Sequence, residues 1–168
     1  MTKEHAVLAV CDARKGLLYD ASFDDNGHLH LACMEQISSR WHNFHEHGRP
    51  DALGRGPSAN AAQHFADTAQ EPEEMDRRFA RDLAAKFRDA RVFSSLQPIV
   101  IFAAPRMLGA LRHELSNDAG FMLRRGELTR LRPSELASHP LVRAVARTLF
   151  HTALIALPAT PTSEETLP

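Results

Sequence analysis

Unbroken apolar runs separated by turn residues mark the N-terminal part of the chain. Residues 6–11 are apolar throughout, which is typical of a central strand covered on both faces. Residues 17–23 and 28–34 are predicted as two further strands, and Asn26–Gly27 between them favours a tight turn. These three segments predict an antiparallel meander.

The second half of the chain alternates helical and strand patterns. Apolar residues at a spacing of four predict a helix from Pro72 to about Arg91; they are Met75, Phe79, Leu83 and Phe87. Residues 98–104 predict another central strand, and a helix over 105–115 follows directly from its carboxyl end. A strand over 121–131 and a helical segment from Pro133, interrupted at Pro140 and resumed over 141–156, complete the α/β pattern.

Two segments lack such periodicity. Glycine, proline and polar residues break residues 38–70, which predicts a long loop, and loops of that size are usually functional or disordered. Residues 158–168 are rich in Pro, Thr and Ser, which predicts a disordered tail. We therefore expect one domain over residues 1–157, a size for which a single core is sufficient.

Composition indicates a soluble protein of the cytoplasm. The chain has 168 residues and a formal net charge of -1, and its N-terminal apolar run is too short for a signal peptide or a membrane span. Cys11 and Cys33 both lie in apolar runs, where a reduced thiol packs as a small hydrophobic group. Residues 105–151 contain eight arginines and four acidic residues, a local excess suited to phosphates, although exposed arginines often serve solubility alone.

Several short motifs carry a resemblance to a known family. They are VCDAR at residues 10–14, GRG at 54–56, RFARDL at 78–83 and AAPRMLGALR at 103–112, continued at 126–131 and 133–136. With these motifs the chain resembles the host-attachment family, the proteins required for attachment to host cells. That family is similar to the bacterial relatives of the archaeo-eukaryotic release factors. The resemblance covers roughly residues 6–140.

The resemblance implies a ribonuclease-H-like mixed sheet flanked by helices, like the middle domain of release factors. It also implies a binding or adaptor protein associated with the ribosome or RNA, more in keeping with a non-enzymatic role than with an enzyme. Peptide release depends on a Gly-Gly-Gln tripeptide, and the sequence has none. Ala104 departs from the family's Pro-Pro-Arg motif but leaves Arg106 in place.

Candidate ligand-binding residues lie where predicted strands end. Asp12 and Arg14 follow the first strand and Arg106 follows the fourth, a position at which α/β sheets commonly bind ligands. Arg14 and Arg106 could grip a phosphate or carboxylate, and Arg55 and Gly109, within the family motifs, are further candidates. In the alternative interpretation, Asp12 forms a turn with nearby amides and both arginines pair with neighbouring acids.

The predicted loop offers a different chemistry. Its possible metal ligands are His42, His45 and His47, beside Glu46. Imidazole and carboxylate groups bind zinc or nickel, so a metal-dependent hydrolase is the rival hypothesis, although a solvated loop fits this spacing better. A third hypothesis is a homodimer anchored by Trp41 and Phe44.

Overall fold

Five strands form a mixed sheet in the computed structural model of the chain, which describes residues 5–40, 61–92 and 98–156. The strands are β1 (His5–Cys11), β2 (Lys15–Phe23), β3 (Leu29–Ser38), β4 (Ile99–Ala103) and β5 (Phe121–Arg125). Their order across the sheet is β3-β2-β1-β4-β5. β1 to β3 are the predicted antiparallel meander, and β4 and β5 run parallel to β1. The carboxyl ends of β1, β4 and β5 therefore lie at one end of the sheet.

The helices of the described part lie on both faces of this sheet. They are α1 (Ala61–Arg91), α2 (Pro105–Glu114), α3 (Pro133–Ser138) and α4 (Pro140–Ala156). α1 and α2 cover one face, where their apolar residues pack on alternate positions of β1 and β4. Residues of α3 and α4 cover the other face together with Leu128. Burial on both faces explains why β4, and β1 after His5, are apolar at every position.

Three predicted boundaries were wrong, and the first is the end of β3, which continues to Ser38 instead of residue 34. α1 begins at Ala61, so the predicted loop over 38–70 extends too far, and Pro72 lies inside the helix rather than at its start. Residues 61–71 are rich in alanine and glutamine, whose helix propensity outweighs one proline. The last strand ends at Arg125 instead of residue 131, because after Gly126 the chain turns back to bury Leu128 and Thr129.

The two cysteines differ in environment. Cys11 is fully buried on β1, and burial raises the pKa of its thiol. Cys33, predicted to pack as a small hydrophobic group, is exposed. The prediction failed because β3 is an edge strand and a β-bulge places Met34 between the residues that pair with Leu18 and Tyr19.

A close contact joins the meander to α1. A Cβ atom at Gly16 would lie 2.5 Å from Cδ2 of Leu83, so a larger residue here would require the buried side chain of Leu83 to shift. This contact brings the start of β2 against α1, at the end of the sheet where β1 finishes. Within the described ranges, every helix is too short or too polar to cross a bilayer.

Candidate functional site

The candidate site lies at the carboxyl ends of β1, β4 and β5. Cys11 is paired with Ala103 and Ala103 with Arg125, so the three strands end side by side. The amide of Ala104 donates to the carbonyl of Cys11 over 3.2 Å. The segments that follow, which begin with Asp12, Ala104 and Gly126, therefore leave the sheet next to one another.

Asp12 is held from three directions. Its Oδ1 accepts hydrogen bonds from the amides of Arg14 at 2.7 Å and Lys15 at 2.9 Å, and its Oδ2 accepts one from the hydroxyl of Thr129 at 2.5 Å. Partial burial alone would raise the pKa of Asp12, but these hydrogen bonds outweigh it, and the pKa lies below its ordinary value. Asp12 is thus an ionised carboxylate that closes the β1–β2 turn, as the alternative interpretation predicts.

Arg106 is paired with an acidic residue of α1. Its Nη2 lies 2.8 Å from Oδ2 of Asp76, whose side chain is 7% exposed, whereas the arginine side chain is 64% exposed. One edge of the guanidinium thus neutralises a buried carboxylate, and other N–H groups remain open to solvent. The pairing with a neighbouring acid that the alternative interpretation predicts is therefore present for Arg106.

The other candidate residues are placed differently. Arg14 is exposed at the β1–β2 turn, where its carbonyl accepts from the amide of Ser39 at 2.8 Å, and it makes further contacts. Gly109 lies on the exposed side of α2, with open space where a side chain would be. The remaining candidates lie outside the described residues; they are Arg55, His42, His45 and His47.

Two important partners were missed by sequence reasoning. The position of Asp76 in the sequence could have revealed its burial. It precedes Ala80 and Leu83 by four and seven positions, so it shares the apolar face of the helix. An acid on such a face needs a partner. Thr129 carried no signal, because it lies 117 residues from Asp12 and was assigned to a strand.

Exposed arginines surround Asp12. Arg125 ends β5 and Arg130 follows Thr129, and neither has an acidic partner within ion-pairing distance among the described residues. We call the surface formed by Arg14, Arg106, Arg125 and Arg130 the basic end. Asp12 and Asp76 at this end are both engaged in structural contacts, and Glu127 is exposed between Arg125 and Arg130 in the chain.

Metal chemistry has no support in the described ranges, where no three histidine, cysteine or acidic side chains come together to hold an ion. Ser39 is 2% exposed, and its hydroxyl has no hydrogen-bond partner in the described part of the chain. The guanidinium groups of the basic end can bind an anion.

Comparison with known protein families gives a match to this chain. The model of a protein family described as "Protein required for attachment to host cells" matches residues 7–139, which is well over half of the chain and includes most of β1, the other four strands and the basic end. No curated protein matches the chain.

Proposed function

The chain belongs to the family of proteins required for attachment to host cells, and we propose that it is a non-enzymatic adaptor that binds ribosomal RNA through the basic end. The observation that carries this proposal is the charge arrangement at the carboxyl ends of β1, β4 and β5. Four exposed arginines lie around two acids that are already engaged within the protein. Arginine is suited to this role because its planar fork matches the oxygens of a phosphate.

The state of Asp12 supports binding rather than catalysis. Its oxygens accept hydrogen bonds from Thr129, Arg14 and Lys15, and its lowered pKa keeps it ionised at neutral pH. A general acid or base needs a pKa near the working pH and an oxygen that reaches the reacting group. Asp12 is better suited to shaping the β1–β2 turn that presents Arg14.

The architecture is in keeping with a ribonuclease-H-like fold of the release-factor middle-domain kind. Its mixed sheet carries helices on both faces, as the resemblance implies. This kinship is the reason for naming the ribosome as the source of the RNA, and the lack of a Gly-Gly-Gln tripeptide argues against peptide release. In this proposal the protein acts as one domain in the cytoplasm, and its link to attachment is indirect, through translation.

The test is co-sedimentation with ribosomes in sucrose gradients at low and moderate salt. The main variant is Arg125→Gln with Arg130→Gln, since neither side chain has an ion pair among the described residues to lose. The matched control is Arg143→Gln with Arg147→Gln, which removes the same charge from exposed positions of α4. Arg106→Lys adds a variant that keeps a positive charge beside Asp76 but loses the fork.

The proposal predicts co-migration of the wild type that weakens as salt rises, because phosphate contacts release counterions. The Arg125/Arg130 variant should lose co-migration at a lower salt concentration than the Arg143/Arg147 variant. No co-migration of the wild type at either salt, or equal losses in the two double variants, would overturn the proposal.

A further inference from the structure

A groove of about 450 Å³ lies beside the edge strand β3, on the side where α3 packs. One wall is the stretch from Gly27 to Leu31, and the other consists of α3 residues together with Arg143 of α4. The register of the meander places this stretch at the end of the sheet opposite the basic end, since Phe23 pairs with Leu29 whereas Lys15 pairs with Ser38. The groove is therefore separate from the proposed RNA surface.

The wall formed by β3 has an open main-chain edge. β3 is the terminal strand of the sheet, and it pairs with β2 alone among the described strands. Alternate amides and carbonyls of Leu29–Cys33 therefore point away from the sheet without a strand partner in the described part. The bulge at Met34 interrupts this regular edge, so the stretch available to an added strand is short.

The opposite wall combines small, polar and apolar groups. Pro133 and Ala137 provide apolar surface, and Ser134 and Ser138 provide hydroxyls, although that of Ser138 donates to the carbonyl of Ser134 at 2.8 Å. Walls of this kind fit around an extended chain and leave room for alternate side chains.

The charges at the groove favour an acidic occupant. Oδ1 of Asp24 accepts from the amides of Asn26 and His28, and its Oδ2 lies 3.2 Å from Nδ1 of His28 and 3.1 Å from Nε2 of His30. The carboxylate of Asp24 is thus engaged within its own turn. Arg143, by contrast, has no acidic partner within ion-pairing distance among the described residues.

We propose that this groove binds an extended peptide segment of a partner protein, which adds to the edge of β3 as a strand and places a carboxylate on Arg143. Main-chain hydrogen bonds to β3 supply affinity, and the arginine supplies selectivity for an acidic residue. Five residues of extended chain cover about 16 Å, the length of the edge from Leu29 to Cys33 on β3. A partner with one acidic residue in a short β-forming segment meets these requirements.

The probe is a fluorescent, end-blocked hexapeptide of sequence Val-Thr-Val-Thr-Val-Glu, whose binding is measured by fluorescence polarisation. Two control peptides share its length: one ends in Gln, and the other carries an N-methyl group on every main-chain amide, so that it cannot donate main-chain hydrogen bonds. Arg143→Gln is the test variant, and Arg147→Gln, also exposed on α4 but outside the groove, is the matched control.

The proposal predicts saturable binding of the Glu peptide and about tenfold weaker binding of each control peptide, as expected when a charged hydrogen bond or the strand edge is lost. Arg143→Gln should abolish the preference for Glu over Gln, and Arg147→Gln should keep it. No binding of the Glu peptide, equal binding of the Glu and Gln peptides to the wild type, or an unchanged preference in Arg143→Gln overturns the proposal. Sedimentation that reveals a dimer dispersed by the peptide overturns it too, since the occupant would then be a second copy of the chain.

Discussion

Two exposed arginines occupy opposite ends of the sheet and differ in what holds them. Arg106, at the basic end, donates to the buried carboxylate of Asp76 over 2.8 Å. Arg143, at the groove beside β3, has no ion pair among the described residues. The two residues have the same chemistry and are both exposed, so exposure alone does not distinguish a structural arginine from one available to a ligand.

Whether an exposed arginine stabilises the fold or is available to a ligand depends on whether its acidic partner is buried. A carboxylate as buried as that of Asp76 needs a compensating charge, so the contact contributes to folding whatever else Arg106 binds. Arg143 has no such buried acidic partner among the described residues. Arg143 therefore contributes little to stability, and a ligand can use its full charge.

The largest expected effect is on stability and separates these two arginines. Arg106→Ala should lower the free energy of unfolding by about 2 kcal/mol, because it removes the guanidinium that lies 2.8 Å from the buried carboxylate of Asp76. Arg143→Ala should change it by less than about 0.5 kcal/mol. Urea unfolding followed by circular dichroism measures both values. Equal values would remove the distinction between the two residues.

A smaller loss of stability is expected when the hydrogen bond from Thr129 to Asp12 is removed. Thr129→Val removes the hydroxyl that donates to Asp12, and it should lower the free energy of unfolding by about 1 kcal/mol at pH 7. The shape of the side chain is kept, so the core should remain intact. The same urea titration measures the change, and a variant as stable as the wild type would show that this bond is unimportant.

Acid dependence provides a check on that variant. The pKa of Asp12 is lower in the folded protein than its ordinary value of about 3.9, so its contribution to stability is present above that value and is lost as the pH falls through the folded pKa. Thr129→Val should raise the folded pKa towards the ordinary value. The stability difference between wild type and variant should therefore be larger at pH 7 than at about pH 2 to 3, and the reverse order would contradict the hydrogen-bond assignment.

The smallest effect is expected at the β2–β3 turn beside the groove. Asp24→Ala removes the acceptor for the amides of Asn26 and His28, so both amides should exchange with solvent faster while the core stays protected. Hydrogen exchange followed by NMR measures the change residue by residue. Faster exchange throughout the sheet would mean that the turn supports the whole fold rather than the groove alone.

Sequence predicted the elements better than their contacts. The meander, the central strand β4 and the interruption at Pro140 follow from local patterns of apolar residues and turn formers, and the structure confirms them. The start of α1 was missed because the prediction placed Pro72 in the first turn of the helix and left the alanines before it in the loop. The exposure of Cys33 depends on which strand lies at the sheet edge, which is a property of the whole topology.

The candidate site shows the same limit. Asp12 and its turn could be predicted, because aspartate after a strand commonly accepts hydrogen bonds from the amides that follow. The pairing of Arg106 with Asp76 joins residues of two helices, and that of Asp12 with Thr129 spans 117 positions. No local pattern encodes such distances, so the sequence left open whether the two arginines bind a ligand or the protein itself.

The most direct test of RNA binding at the basic end is an NMR titration of the ¹⁵N-labelled protein with a single-stranded RNA at low salt. RNA binding there should shift the amides around Arg14, Arg106, Arg125 and Arg130, with shifts that fade as salt is added, and should leave Gly27 to Leu31 unshifted. Shifts concentrated at Gly27–Leu31 and α3, or no shifts anywhere, would contradict it.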